Sequence, residues 1–396
     1  MLFYLGIIFL AISESNGREY ERFFPPEESC RSVSGTAGDC VNINECGQLL
    51  ELLKQPRPLP TSTLDILSKS QCGFDGRMPK VCCPRNTQPA PTATNAPDMT
   101  TDVSTGVPQP PDVTHHPNLR LLDHQRCGPI TESKIFGGNK TSVFEFPWMA
   151  LIGYDVGKRD PEFRCGGSLI SKRYVLTAAH CVTGLSSSLR LVGVRIGEHD
   201  LSKERDCNYE EGVEIACAAR YQDFLVEKSY AHSGYNREKL QNDIALIRIN
   251  GDADFQPDSV RPICLPIGNA ATIQRQKLIV TGWGTTESGY RSQDLLKVKL
   301  PVMPNPKCAS FYNNLSNPLD ISYKQLCAGG SNQMDSCSGD SGGPAQFPGL
   351  YFNGQPRYIQ FGIVSFGPRQ CGIEGFPGVY TRVPYYMDWI LNTMTE

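Results

Sequence analysis

The chain has 396 residues, with 38 Lys and Arg against 41 Asp and Glu, a formal net charge of −3. That length allows two or three domains. The near-even charge balance gives no electrostatic case for nucleic acid or an anionic membrane as a partner. Residues 1–13 form an apolar run too short to span a bilayer, followed directly by polar residues 14–18. This reads as a secretory signal peptide over residues 1–17, although no basic residue precedes the run. Sixteen cysteines, an even number, suit disulfides in a secreted chain, and the absence of a Cys-x-x-Cys pair argues against zinc.

Six of those cysteines, Cys30, Cys40, Cys46, Cys72, Cys82 and Cys83, fall in one short segment, 29–83. A segment of this size buries little apolar surface and needs covalent staples. Residues 49–53 and 64–67 have the spacing of short helical turns within it. Between Pro84 and Pro117 stand eight prolines and seven threonines, with few large apolar residues. Such a stretch does not offset the entropy of ordering, so residues 84–126 read as an extended, exposed linker. His115 and His116 within it read as a solvated pair. From Cys127 onward, short apolar or alternating runs at 148–152, 195–196, 245–249, 277–281 and 359–364 are separated by Gly and Pro, a pattern of antiparallel strands. Residues 385–391 have helical spacing.

The chemistry is concentrated at Asp335-Ser-Cys-Ser-Gly-Asp340-Ser341-Gly-Gly-Pro344. By itself Gly339-x-Ser341-x-Gly343 also fits the nucleophile elbow of α/β-hydrolases. Upstream, however, lie Thr177-Ala-Ala-His180-Cys181 and Asn242-Asp243-Ile-Ala-Leu246. The order His, Asp, Ser excludes the α/β-hydrolase order. With Ile135-Phe-Gly-Gly138, Ser365-Phe-Gly367 and Gly378-Val-Tyr380, the chain resembles the chymotrypsin-like serine proteases over residues 135–396. The amino-terminal cysteine cluster, ending on adjacent cysteines and Pro84, resembles the clip domain of arthropod serine proteases. The implied fold is all-β: a chymotrypsin-like double β-barrel with a carboxy-terminal helix, preceded by a small disulfide-rich clip domain.

The resemblance implies the pairings Cys30–Cys82, Cys40–Cys72 and Cys46–Cys83 in the clip domain, and Cys165–Cys181, Cys308–Cys327 and Cys337–Cys371 in the protease domain. It also implies that Cys127–Cys264 joins the two chains left after activation, with Cys207 and Cys217 left to bridge a surface loop. His180 is then the base for Ser341, and Asp243 orients and supports the imidazole. The N–H groups of Gly339 and Ser341 form the oxyanion hole. Asp335 at the pocket base, with Ser365, Gly367 and Gly378 along its walls, implies cleavage after Arg or Lys. Residues 127–134 form an activation segment: a cut after Lys134 frees the ammonium of Ile135 to pair with Asp340. His199 and His232 read as ordinary loop or surface residues.

Catalysis of this kind requires no cofactor. Glu198, Asp200, Glu211 and Glu214 flank a loop in which relatives bind calcium, making Glu198 and Glu214 candidate ligands for a structural ion. Asn139-Lys-Thr141 and Asn314-Leu-Ser316 fit the glycosylation acceptor pattern. The resemblance further implies a haemolymph cascade. Its members would be a trypsin-like activating protease upstream, and downstream another zymogen, a prophenoloxidase or a cytokine precursor of the Spätzle type, with a serpin as inhibitor. Two other readings are a non-catalytic clip homologue acting as a binding cofactor, which the presence of Ser341, His180 and Asp243 disfavours, and a digestive trypsin, which has no use for the extra amino-terminal 134 residues.

Overall fold

The computed structural model describes residues 29–33, 35–53, 59–75, 78–84, 107–131, 140–210, 212–272, 277–286, 289–314, 318–330, 337–351, 354–368, 371, 373 and 375–396. The signal-peptide segment, Lys134, Ile135, Asn139 and Asp335 therefore lie outside the described residues.

In the amino-terminal module, β1 (Ser29–Arg31), β2 (Ala37–Asn42), β3 (Gln71–Asp75) and β4 (Met78–Pro84) form one antiparallel sheet in the order β1-β2-β4-β3. Two short helices, α1 (Gly47–Leu52) and α2 (Thr61–Ser70), cover it, at the two leucine-rich stretches. Its apolar core is small, formed by Ile43, Leu49, Leu67 and Val81 around Cys46. The sulfurs pair as Cys30–Cys82, Cys40–Cys72 and Cys46–Cys83. In the chain-entropy account, loops of this size contribute roughly 4 kcal/mol each, which offsets the poverty of the core.

Two closed six-stranded barrels follow. The first comprises β5 (Met149–Asp155), β6 (Glu162–Leu169), β7 (Tyr174–Thr177), β8 (Arg190–Ile196) and, beyond a separate hairpin of β9 (Cys207–Glu210) and β10 (Val213–Cys217), β11 (Gln222–Ala231) and β12 (Ala245–Ile249). Next, α3 (Asn269–Thr272) leads into the second barrel of β13 (Lys277–Gly282), β14 (Leu296–Met303), β15 (Gln325–Ala328), β16 (Pro344–Leu350), β17 (Pro356–Phe366) and β18 (Gly378–Arg382). A helix α4 (Asn305–Tyr312) precedes β15, and α5 (Met387–Thr393) closes the chain. Strand runs such as Ala245–Ile249, buried on both faces, belong to a barrel wall that faces its own interior and a covering layer. The remaining disulfides are Cys127–Cys264, Cys165–Cys181, Cys207–Cys217, Cys308–Cys327 and Cys337–Cys371.

The barrels are joined by buried polar bonds as well as by one continuous apolar core. The Trp148 indole donates to Gln346 Oε1 at 3.2 Å, and the Ser168 hydroxyl donates to Gln360 Oε1 at 2.6 Å. Buried donors and acceptors of this kind fix the relative placement of two surfaces more narrowly than apolar contact does. The disulfide module leans on the second barrel: α2 meets α3, β3 meets β16, and Leu350 N–H donates to Gln71 Oε1 at 3.3 Å.

One expectation is corrected here. Residues 107–126 are not an exposed tether. Val113 and Leu122 are 4% and 8% exposed and join the barrel core. A short 3-10 turn at Pro117–Leu121 lies against α5, where the Asn118 amide donates to the carbonyls of Leu391 at 2.8 Å and Met394 at 3.1 Å. His116, expected to be solvated, bonds Asn392 Oδ1 through Nε2 and accepts the Asn118 N–H at Nδ1. The average composition misleads because two apolar anchors and one amide at a helix end suffice when the covering surface is already formed. Among the described residues no helix is long and apolar enough to cross a membrane.

Candidate active site

His180 sits in a 3-10 turn, Ala179–Cys181, directly after β7, and Cys181 is bonded to Cys165 on β6. The turn places the imidazole at the seam between the barrels, 28% exposed. Asp243, just before β12, is 1% exposed. Its two oxygens are used separately: Oδ2 lies 2.8 Å from His180 Nδ1, and Oδ1 accepts the His180 backbone N–H at 2.9 Å. The carboxylate thereby holds both the ring and the main chain that carries it. Accepting at Nδ1–H leaves Nε2 as the basic nitrogen.

The second barrel completes the carboxylate's surroundings. The Ser365 hydroxyl donates to Asp243 Oδ2 at 2.6 Å, and the Thr381 hydroxyl donates to the Asp243 carbonyl at 2.7 Å. Sequence reasoning took Ser365 as a pocket wall and missed this bond, and it missed Thr381 altogether. The segment before Asp243 is also unusual: Leu240 and Asn242 have φ of 51° and 53°. Left-handed backbone costs a leucine about 1–2 kcal/mol. It is held by partners in the second barrel and in the turn that follows it, since the buried Gln325 donates from Nε2 to the Leu240 carbonyl at 3.0 Å and the Tyr386 hydroxyl donates to Asn242 Oδ1 at 2.9 Å. The sole sequence signal for this clamp is a polar residue at a barrel-strand position.

Ser341 stands at the turn before β16. Its carbonyl accepts the Gly166 N–H from β6 at 2.8 Å, and its neighbour Gly342 donates to Val364 of β17, also at 2.8 Å. The nucleophile is thus fixed from both barrels. Gly339 has φ of +103°, a conformation that L side chains rarely adopt. Among the described residues no backbone acceptor takes the N–H of Gly339 or of Ser341. Gly367 and Gly378 face each other: a Cβ on Gly367 would come to 3.7 Å from the Gly378 Cα. Side chains at these two positions would close the space between them.

Asp340, beside the nucleophile, is half-buried. Its oxygens accept the N–H of Gly284 and of Cys337, each at 2.9 Å. A Cβ on Gly282 or Gly284 would collide with this carboxylate. Burial pushes its pKa up to about 6, against the opposing effect of the two backbone donors and of Arg291.

The acidic loop departs from expectation. Glu214 forks onto Arg205 at 2.6 and 3.0 Å. Glu198 is buried, pairs with Arg195 at 3.1 Å, and has its pKa pushed up to about 7 by burial, with nearby Asp206 adding to the rise. Among the described residues, no set of three ligating side chains within 4.8 Å of one another includes Glu198. The pair Glu198 and Glu214 therefore does not fit a calcium ion; arginines knit the loop instead. His199 lies on a loop, as expected, but is half-buried rather than at the surface. Burial lowers its pKa, and it bonds the Thr141 carbonyl and hydroxyl through Nε2. His232 packs against Tyr386 and Trp389. Asn314 is exposed just beyond α4.

Residues 135–390 match the Trypsin family, and residues 30–83 match the regulatory CLIP domain of proteinases. The chain is 38% identical over 387 residues to melanization protease 1 of Drosophila melanogaster, covering 92% of each protein. It is 37% identical to phenoloxidase-activating enzyme 1 of Spodoptera litura, covering 94% of this chain and 95% of that one. The crystal structure of the Drosophila Grass clip serine protease of the Toll pathway superposes with a TM-score of 0.62 at 34% identity, covering 93% of this chain and 97% of that chain. The chain belongs to the clip-domain serine proteases of trypsin type.

Proposed function

We propose that the chain is a secreted zymogen of a trypsin-like endopeptidase, activated by a cut after Lys134, that cleaves proteins after Arg or Lys in an extracellular cascade of immunity, melanization or Toll-type signalling. The carrying observation is the conjunction of the His180–Asp243 couple with a half-buried Asp340, held on two backbone donors, adjoining Ser341. A carboxylate half-buried on two neutral donors is costly until a cation pairs with it. The ammonium of Ile135, freed by the cut, is that cation, and its pairing relieves that cost beside the turn that carries Gly339 and Ser341.

In the reaction, His180 Nε2 takes the Ser341 hydroxyl proton as the oxygen attacks the peptide carbonyl. The Gly339 and Ser341 N–H groups hold the resulting oxyanion, and His180 returns the proton to the leaving amine. Water repeats the sequence on the acyl-enzyme. Asp243 stays ionised and supports the imidazolium. Asp335 at the pocket base selects the basic side chain, with Ser365, Gly367 and Gly378 as walls. The basic residue before the cut calls for a trypsin-like activator, with a downstream zymogen, prophenoloxidase or cytokine precursor as substrate and a serpin as inhibitor. The melanization and phenoloxidase-activating relatives support that setting.

The test is to treat the purified full-length zymogen, and its Ser341→Ala variant, with a trace of trypsin-like protease. The new amino terminus is sequenced while hydrolysis of Arg, Phe and Ala peptides is followed. Ile135 as the new terminus, with Arg cleavage that needs Ser341, is the expected result. Ile135 appearing without activity would turn the reading to a binding cofactor, and preference for Phe would remove the assigned role of Asp335.

A further inference from the structure

On the side of Ser341 away from the facing Gly367 and Gly378, the cleft is bounded by β6. This strand carries Gly166, bonded to the Ser341 carbonyl, and Cys165, bonded to Cys181 beside His180. Once the residue before the cleaved bond occupies the Gly367 side, the residues after it must leave along β6. Arg291 lies there. Its guanidinium donates to the carbonyl of Phe163, and to that of Arg164 at 3.4 Å, at the start of β6. It also comes so near the oxyanion turn that a Cβ on Gly339 would meet its nitrogens at 3.1 and 3.2 Å.

Arg291 is exposed, and among the described residues no carboxylate forms an ion pair with it. The one acid next to it on β6, Glu162, is already taken by Lys158 at 2.6 Å and Arg164 at 2.9 Å. Asp340, on the other side of the turn, feels this charge but makes no ion pair with it: it is half-buried and its oxygens are occupied by backbone donors. A guanidinium has five N–H donors in a planar fork suited to a carboxylate. Two carbonyls leave donors, and a charge not neutralised by an ion pair among the described residues, facing the path of the leaving segment.

We propose that Arg291 is a specificity residue that makes the cleft favour an acidic side chain within the first two residues after the cleaved bond. The inference rests on the protease reading above and narrows the substrate class: a protein whose segment following the cut begins with Asp or Glu. Because the pair forms at a solvent-exposed site, the preference is modest and salt-sensitive, roughly 2- to 5-fold in kcat/KM at low ionic strength.

The experiment uses the activated full-length chain and peptides with Arg before the cleaved bond and Asp, Asn or Lys at each of the two positions after it. Expected are an Asp-to-Asn ratio of about 2–5 at one of the two positions, the slowest rates with Lys, and a ratio that shrinks between low and high sodium chloride. In Arg291→Gln the ratio falls toward 1, and Arg291→Lys retains part of it. Each ratio is taken within one enzyme, so a general change in activity cancels. Hydrolysis by the parent chain that is blind to the acid, or an Asp-to-Asn ratio unchanged in Arg291→Gln, overturns the inference alone. Failure of the parent to hydrolyse any peptide overturns the protease reading and the inference with it.

Discussion

Replacing Asp340 with Asn separates what this carboxyl costs the uncut chain from what it does after cleavage. An unfolded Asp loses its proton near pH 3.8, whereas burial keeps Asp340 protonated up to about pH 6 in the folded chain. Between these values the folded state binds more protons than the unfolded one. Stability from this group is therefore fully present below pH 3.8 and lost as pH rises through about 6. At 1.36 kcal/mol per pH unit the loss is roughly 3 kcal/mol above pH 6. Asn has nearly the same shape but cannot ionise. Like a protonated carboxyl, it has one strong acceptor for the two N–H groups of Gly284 and Cys337, so the imperfect bonding affects both chains alike near pH 4.

The readout is the pH dependence of the difference. In uncut Ser341→Ala chains with disulfides intact, denaturant unfolding from pH 4 to 8 should show Asp340→Asn gaining about 3 kcal/mol on its parent across the range. After the cut, the Ile135 ammonium should remove that disadvantage from the parent and leave the Asp340→Asn variant unchanged by comparison. A difference that is flat in pH before cleavage, or equal before and after it, would refute the reasoning.

Asp243→Asn should lower kcat by about 10⁴ through loss of the correct imidazole tautomer, while Ser365→Ala, which removes one bond to the same carboxylate, should lower it only about 10-fold; steady-state kinetics on an Arg peptide check the order. Gln325→Ala frees the Leu240 carbonyl and should reduce kcat more than it raises KM, by about 10-fold in kcat/KM, and an unchanged kcat would show that the left-handed segment holds Asp243 without it. A Cys46→Ser, Cys83→Ser chain should lose roughly 4 kcal/mol from the clip module, whose core is small. Limited proteolysis should then remove the module while peptide hydrolysis by the activated protease continues, and a module as resistant as the parent's would count against covalent stapling as its main support.

What could be seen in the sequence and what could not divide along one physical line. His180 and Ser341 announce themselves because the backbone turns that present them need particular neighbours, Ala178-Ala179-His180-Cys181 and Gly339-Asp340-Ser341-Gly342, contiguous in the chain. The strands were visible because both barrels fill their interiors with short apolar runs. The interactions that tune the site are long-range: Ser365 and Asp243 are 122 positions apart, and Gln325 and Leu240 are 85. Nothing local marks either pair. The misread stretch at 107–126 failed for a related reason, since Asn118 is ordered by carbonyls more than 270 residues away. Glu198 and Glu214 look like hard-ion ligands when only acids are counted; the arginines at 195 and 205 that occupy them are equally plain in the sequence, but their direction is not.

The seating of Asn118 on the end of α5 bears on how the clip module would be shed. Cutting after Lys134 leaves the module's segment attached through Cys127–Cys264, and reduction of that one bond would be the obvious route to separation. The segment is also gripped without any covalent bond, by Val113 and Leu122 in the core and by Asn118 on the carbonyls of Leu391 and Met394. The two fastenings fail under different conditions, reductant for one and unfolding for the other. A mildly reducing milieu alone would therefore leave the cleaved protein a single particle, and a clip-free protease would have to arise by a second proteolytic cut.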